Sequence, residues 1–251
     1  MTSLGSSENS KLTAYDLAVD SSSQVGSLAL GCRGVVLGVR ESTDQRSHSE
    51  VLNDLFADLL SHSGVEISQL KHLVVGNGPG SFTGVRVALS FVKSLAMAKN
   101  LPIFVVDSTY NLAWQVRDQG PGGVVTIQNA FKNMVYLAVY DVDADGHLTI
   151  LEEPRSVAAS ELELILSYQK HRVERLILVG DGLLLYQSSL TPELRNAVKL
   201  NADILTPSAK TALEIFYHLN QSAKFIDWRE LQALYVRESE ADEKFRLSGR
   251  D

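Results

Sequence analysis

The sequence predicts an α/β fold made of two related β-β-β-α-β-α subdomains. Three observations carry that expectation. Short apolar runs bounded by turn residues, the mark of strands, come in threes and are followed by helical patterns. A Gly-Pro-Gly-Gly break at 120–123 divides the chain near its middle. The same order of elements then begins again, although the two halves share no visible identity. The chain has 251 residues, enough for one large or two small cores, and its 45% hydrophobic content is that of a globular protein.

Residues 1–13 are rich in Ser, Asn and Gly and read as a loose tail or a segment added for expression. YDLAVD (15–20) reads as a strand ending in an acid, Asp20. SLALGC (27–32) and VVLGVRE (35–41), separated by Arg33 and Gly34, form a hairpin pair. A helix fits residues 49–62, LVVG (73–76) is a short buried strand, and a second helix fits 81–99. PIFVVD (102–107) is another buried strand, followed by a helix over TYNLAWQV. After the break, VVTIQN, MVYLAVYD and HLTILEEP read as three strands, ASELELILSY as a helix, RLILVG as a strand and SAKTALEIFYHLNQS as a helix. A further helix fits PELRNAVKL, and RESEADEKFRLSGRD is a charged tail. The expected division is a subdomain at 14–119, a second at 120–237, and a tail at 238–251. Three strands in a meander followed by crossovers give a mixed sheet with helices on it. Two such units facing each other across a cleft describe, by analogy, the actin-like architecture.

Composition narrows the function. The formal charge of −7 argues against a stand-alone nucleic-acid binder, whose footprint is basic. The single cysteine, Cys32, excludes an intramolecular disulfide and fits a reducing compartment. No run approaches ~18 apolar residues and the N-terminus lacks a signal-peptide core, so a cytoplasmic protein is expected, with no membrane partner.

The stretch VVGNGPGSFTGVRVALS (74–90) looks at first like a phosphate cradle. A P-loop needs a glycine-lysine pair to reach the outer phosphates, and none follows here. The dinucleotide fingerprint needs a third glycine where Ser81 or Thr83 stands. What remains is a tight exit from a strand, with Ser81 or Thr83 able to cap the helix. A helix start with free N–H groups can hold an anion, but any helix start can.

The helix that follows is more informative. At ~100° per residue, Val85, Ala88, Leu89, Val92, Leu95 and Ala96 make one apolar face, which Gly84, Val87, Phe91 and Ala98 continue. The arc spans roughly 200°, wider than a single core requires. The earlier helix sets Val51, Leu52, Leu55, Phe56, Leu59 and Leu60 against Glu50, Asp54 and Asp58. Both helices are either plain core or a docking face. The docking reading assigns the partner interface to Val51, Leu55, Leu59, Gly84, Val85, Ala88, Leu89 and Val92, with Gly84 and Ala88 permitting close approach.

The uninterrupted order Gly78-Pro79-Gly80-Ser81-Phe82-Thr83-Gly84, with Arg86 two residues on, resembles the signature of the TsaB family, also called YeaZ. LAVDSSSQVGSLAL is similar to that family's opening hairpin, RSHSEVLNDLFADLL to its His-led first helix, with His48 leading, and LPIFVVDST to the strand after the signature helix. The resemblance is good over about 15–114 and fragmentary beyond. It implies an actin-like (ASKHA) fold and a part in making threonylcarbamoyladenosine (t6A) in tRNA. It also implies a non-catalytic scaffold that binds and activates TsaD together with the ATPase TsaE. Alone, such a protein self-associates through the two helices of its first subdomain, and it meets tRNA only through the complex. No cofactor is expected, with weak nucleotide binding at a complex interface left open. The stretch NAFKNMVY (129–136) departs from the family, with Asn129, Phe131, Asn133 and Met134 in place of its usual polar residues.

The alternative is an actin-like ATPase or a glycoprotease-like metallohydrolase. An ATPase of this class needs two turns that each offer a carboxylate and close glycines. Here Asp20, Ser21 and Ser22 form a degenerate first turn whose nearest glycine is Gly26, and the second has Asn129. Replacing a carboxylate by an amide weakens Mg²⁺ binding. The six histidines include no pair three or four apart, the spacing for a helical metal site. No catalytic residue and no metal site is expected, and Cys32, without a recognisable base, is read as incidental.

Overall fold

The structure is a computed structural model that describes residues 14–42, 48–201, 203–219 and 222–236, with the backbone alone at His48 and Ser49. The expected tails at 1–13 and 238–251 lie outside the described residues. The chain groups into two compact units. Of the described residues, the first contains those up to Asn77, Thr83–Val106 and Pro207–Ala233; the second contains Gly78–Phe82, Asp107–Thr206 and 234–236.

In the first unit, β1 (Tyr15–Asp20), β2 (Ser27–Cys32) and β3 (Val35–Glu41) form an antiparallel meander. Helix α1 (His48–Ser63) leads to β4 (Leu70–Gly76), which lies parallel to β1. Helix α2 (Phe82–Lys99) leads to β5 (Ile103–Val106), parallel to β4. The near-continuous apolar runs of β4 and β5 fit strands covered on both faces. One face of the sheet packs Leu17, Val19, Leu28 and Leu30 against Leu52, Phe56 and Leu59 of α1 and Val85, Ala88 and Val92 of α2.

The second unit opens with α3 (Ser108–Trp114), then β6 (Gly122–Asn129), β7 (Met134–Val142) and β8 (Leu148–Ala158), again an antiparallel meander. Helix α4 (Leu162–Arg172) leads to β9 (Leu176–Val179), parallel to β6. Two short helices, α5 (Asp181–Tyr186) and α6 (Pro192–Ala197), lead to the two-residue β10 (Lys199–Leu200), parallel to β9. Helix α7 (Ala209–Leu219) and β11 (Phe225–Ile226) return to the first unit, where β11 pairs with β5.

The sheet orders are β11-β5-β4-β1-β2-β3 and β10-β9-β6-β7-β8. Leaving out β11, they are the same order twice, with helices between the parallel strands. This is an α/β actin-like fold; beyond the expected β-β-β-α-β-α unit, the first repeat has the strand and helix expected from PIFVVD and TYNLAWQV, and the second has a short strand, β10, and a short helix, α5, that were not expected. The helix that ends each repeat packs on the other sheet. Helix α3 buries Leu112 and Ala113 against Val124, Ala138 and Tyr140 of the second sheet. Helix α7 lies on β1, β2 and β4 of the first sheet. There Tyr217 donates to Asp16 Oδ2 at 2.9 Å, the Ala209 N–H donates to Ser27 Oγ at 2.9 Å, and His72 Nδ1 lies 2.7 Å from Asp16 Oδ1. The expected boundary between 119 and 120 therefore differs from the grouping observed. Periodicity shows which side of a helix is apolar, and it does not say which sheet that side covers.

Candidate functional site

The first turn and the start of the signature helix come together at the end of β1. Asp20 is fully buried, and its Oδ1 accepts from the Ser22 N–H at 2.9 Å and the Ser22 hydroxyl at 2.7 Å. Ser21 donates to the Gly84 carbonyl at 2.7 Å. A Cβ on Gly76, the last residue of β4, would lie 1.9 Å from Asp20 Oδ2. The glycine before the loop is thus demanded by the carboxylate of the neighbouring strand. At Gly84 the Ser21 hydroxyl lies on the carbonyl oxygen.

The loop itself is tied to α3. Gly78 takes a positive φ of 99°, and its carbonyl accepts the Ser108 N–H at 2.8 Å. Asp107 caps α3 by accepting from the Thr109 and Tyr110 N–H groups, and Thr109 Oγ1 lies 2.7 Å from the buried Tyr140 hydroxyl. Burial raises the Asp107 carboxyl above its ordinary range against the opposing hydrogen bonds from Thr109 and Tyr110. Gly78 and Pro79 are buried, Gly80 and Ser81 half-buried, and Phe82, Thr83 and Arg86 exposed.

The second turn sits at the end of β6, the place Asp20 holds at the end of β1. Asn129 stands there, and its N–H donates to Asp181 Oδ1 at 2.8 Å. Burial raises the Asp181 carboxyl, with hydrogen bonds led by Asn129 acting against it. Gly180, just before Asp181, has φ 113°, and a Cβ there would lie 2.3 Å from the Ile127 carbonyl oxygen. Phe131, Lys132 and Asn133 follow one another at φ 57°, 52° and 58°, a conformation side chains resist, and Phe131 is 59% exposed. The departure of NAFKNMVY from the family pattern marks this hairpin as divergent. Its left-handed run was not legible, because no glycine announces it.

The docking face needs correction. Val51, Leu59, Gly84, Val85, Ala88, Leu89 and Val92 are all buried inside the first unit, and of the expected set only Leu55 keeps accessible surface. The wide apolar arc serves two layers. Its centre fills the core, and its flank leaves Val87, Phe91 and Leu95 half-buried with Ser90, Ser94 and Met97 exposed. Phe91 meets Phe56 of α1 edge-on at 5.3 Å, so Leu55 and this flank belong to neighbouring helices in contact.

Among the described residues, Asp143, Asp145 and His147 in the β7–β8 turn bring their ligand-type atoms within 4.8 Å of one another. All three are exposed, and Asp143 Oδ1 accepts the N–H groups of Asp145 and His147, which hold its carboxyl below the usual range. The Asp-x-Asp-Gly-His spacing was the signal for this cluster, and a search for helical histidine pairs passes over it. Cys32 is buried at the end of β2. No described helix is long and apolar enough to cross a membrane.

Residues 36–208, more than half of the chain, match the family described as TsaD: tRNA N6-adenosine threonylcarbamoyltransferase. The tRNA threonylcarbamoyladenosine biosynthesis protein TsaB of Escherichia coli is 26% identical over 91% of this chain and 96% of its own length. The protein of the same name from Bacillus subtilis is 31% identical over 59% of this chain and 65% of its own length. Among solved structures, YeaZ from Pseudomonas aeruginosa superposes with a TM-score of 0.74 at 25% identity, covering 88% of this chain and 99% of that one. The chain belongs to the TsaD (tRNA N6-adenosine threonylcarbamoyltransferase) family, on its TsaB (YeaZ) branch.

Proposed function

We propose that this chain is a non-catalytic accessory subunit in the biosynthesis of threonylcarbamoyladenosine in tRNA, and that it works by docking and activating a TsaD-type partner, which a TsaE-type ATPase joins. The observation that carries the reading is the flank left over once the core is filled. Leu55, Val87, Phe91 and Leu95 form a half-buried apolar strip beside the small, exposed Ser90 and Ser94. An apolar strip with a polar margin is the usual anatomy of a protein interface. The same strip would serve self-association when the partner is absent, so the isolated chain is a homodimer that the partner competes apart. The full-length relative from Escherichia coli carries t6A biosynthesis in its name, which supports the pathway.

The strand-end turns support an accessory role. One ends in a carboxylate that is fully buried and bonded to its own turn, the other in an amide. A pair of carboxylates for Mg²⁺ is therefore not on offer at those positions. The chain carries a net charge of −7, so tRNA is reached through the partner.

The test is complementation. In cells lacking this gene, the wild-type chain restores the t6A content of tRNA, and Ser90→Glu with Ser94→Glu lowers it about tenfold or more by placing charge in the strip. Full restoration by the double variant would contradict the docking strip. ATP turnover by the isolated chain, or stoichiometric zinc or iron in it, would overturn the accessory reading in favour of an ATPase or metallohydrolase.

A further inference from the structure

The face of the second sheet that α4 covers holds a partly open pocket of about 190 Å³, bordered by β6, β7, β8, α4 and β9. Its apolar wall is Val139, Leu151, Val173 and Leu176. Gly123 lies on the wall too, and a Cβ there would stand 2.9 Å from Leu176 Cδ1 and 3.2 Å from Val173 Cγ2. The Leu176 and Val173 methyl groups that shape the pocket thus lie close over the bare Cα of Gly123.

Two residues of opposite charge line the same space. Asp141 is half-buried and Arg172, at the end of α4, is exposed. Among the described residues neither has an ion-pair partner; the Arg172 guanidinium only lies over the Tyr168 ring, 5.4 Å from its centroid. Gln169, also on the wall, is 3% exposed and donates through Nε2 to Glu152, which fixes it in place. A carboxylate and a guanidinium that leave each other unpaired over an apolar wall are complementary to a ligand carrying an ammonium, a carboxylate and a small aliphatic group.

Size narrows the class. A cavity of ~150 Å³ holds benzene, and this one is somewhat larger. We propose that it binds a free aliphatic amino acid of about leucine's size, with the ammonium at Asp141, the carboxylate at Arg172 and the side chain against Val139, Leu151, Val173 and Leu176. The site is built from the second unit alone, whereas α1 and α2 belong to the first, so it stands or falls separately from the docking reading.

The test titrates the full-length, ¹⁵N-labelled chain with L-leucine and follows amide shifts. Two probes each lack one charge: 4-methylpentanoate has no ammonium, and 3-methylbutylamine has no carboxylate. Expected are saturable shifts at Gly123 and Val173 with L-leucine at millimolar concentration or below, and binding about tenfold or more weaker for each probe. Asp141→Asn should bring L-leucine down to the level of 4-methylpentanoate, and Arg172→Gln to the level of 3-methylbutylamine. Circular dichroism matching the wild type establishes that both variants are folded. Absence of saturable shifts, equal binding of all three probes, or wild-type affinity in both variants would overturn the proposal.

Discussion

The ends of β1 and β6 hold the same place in two sheets of the same order, yet the carboxylate has changed strands. In the first unit it stands on the meander strand: Asp20 bonds Ser22, and its other oxygen fills the space a Cβ on Gly76 would take. In the second unit the meander strand ends in Asn129, and the carboxylate, Asp181, follows β9 and reaches back to the Asn129 N–H. Each unit thus ties its turn with one buried or half-buried acid and one obligatory glycine. The glycines are obligatory for different reasons. Gly76 makes room for a side-chain oxygen, and Gly180 makes room for the backbone oxygen of Ile127. One structural problem, closing a loop at the end of a parallel strand, has thus been solved twice with the parts rearranged.

The largest effect is expected at Gly180. Gly180→Val combines a φ of 113° with a Cβ 2.3 Å from the Ile127 carbonyl oxygen. It should cost about 4 kcal/mol or more, or prevent folding, as read by urea denaturation and soluble yield. A change under about 1 kcal/mol would mean the backbone does not hold that approach.

The next effect sharpens the contrast. Gly76→Ala should destabilise by about 2–4 kcal/mol, because the new methyl would overlap the Asp20 carboxylate. Combined with Asp20→Ala the cost should fall, giving a coupling of about 1.5 kcal/mol or more in a double-mutant cycle. Gly180→Ala should show no such rescue from any truncated side chain. Additive effects at Gly76 and Asp20 would mean that the carboxylate is not what excludes a side chain at Gly76.

Tyr217→Phe measures the exchange of the terminal helix. It removes the 2.9 Å donor to Asp16 Oδ2 that ties α7 to the first sheet. A loss of about 1–2 kcal/mol is expected, with the earliest amide exchange in α7 and none of it in the second sheet.

The smallest effect concerns pH. Burial raises the Asp181 carboxyl above its ordinary 3.8 in the folded state. Over the window from 3.8 upward to its folded value, the native state then binds more protons than the unfolded chain. Stability therefore falls as pH rises through that window. Asp181→Asn keeps an acceptor for Asn129 and does not ionise, so its stability relative to wild type should improve between pH 3.5 and pH 7. An unchanged difference at the two pH values would remove the burial argument.

Much of the fold was legible because its signals are local. The hairpin of SLALGC and VVLGVRE, the strand LVVG and the helix after Thr83 all follow from period and turn residues. The destination of a helix is not local. The apolar side formed by Ala209, Ala212, Leu213 and Phe216 fits any flat sheet with small residues. Ala18, Ala29 and Gly31 on the first sheet supply that surface, with Tyr217 seated where a Cβ on Gly31 would be. The two-residue β10 and β11 carry too few residues to show alternation at all. At the site, Asp20 and the loop glycines stood out in sequence, but their pairing across β1 and β4 did not. The wide arc of α2 divides in the structure: Val85, Ala88, Leu89 and Val92, which the docking reading gives to a partner, are core, while the accessible flank is Val87, Phe91 and Leu95.

The most direct measurement mixes this chain with the TsaD-type protein of its own cell and weighs the product by size-exclusion chromatography with light scattering. The wild-type chain should elute as a one-to-one complex, and the variant carrying Ser90→Glu and Ser94→Glu should elute apart from the partner while keeping its own fold. A double variant that still forms the full complex would contradict the account.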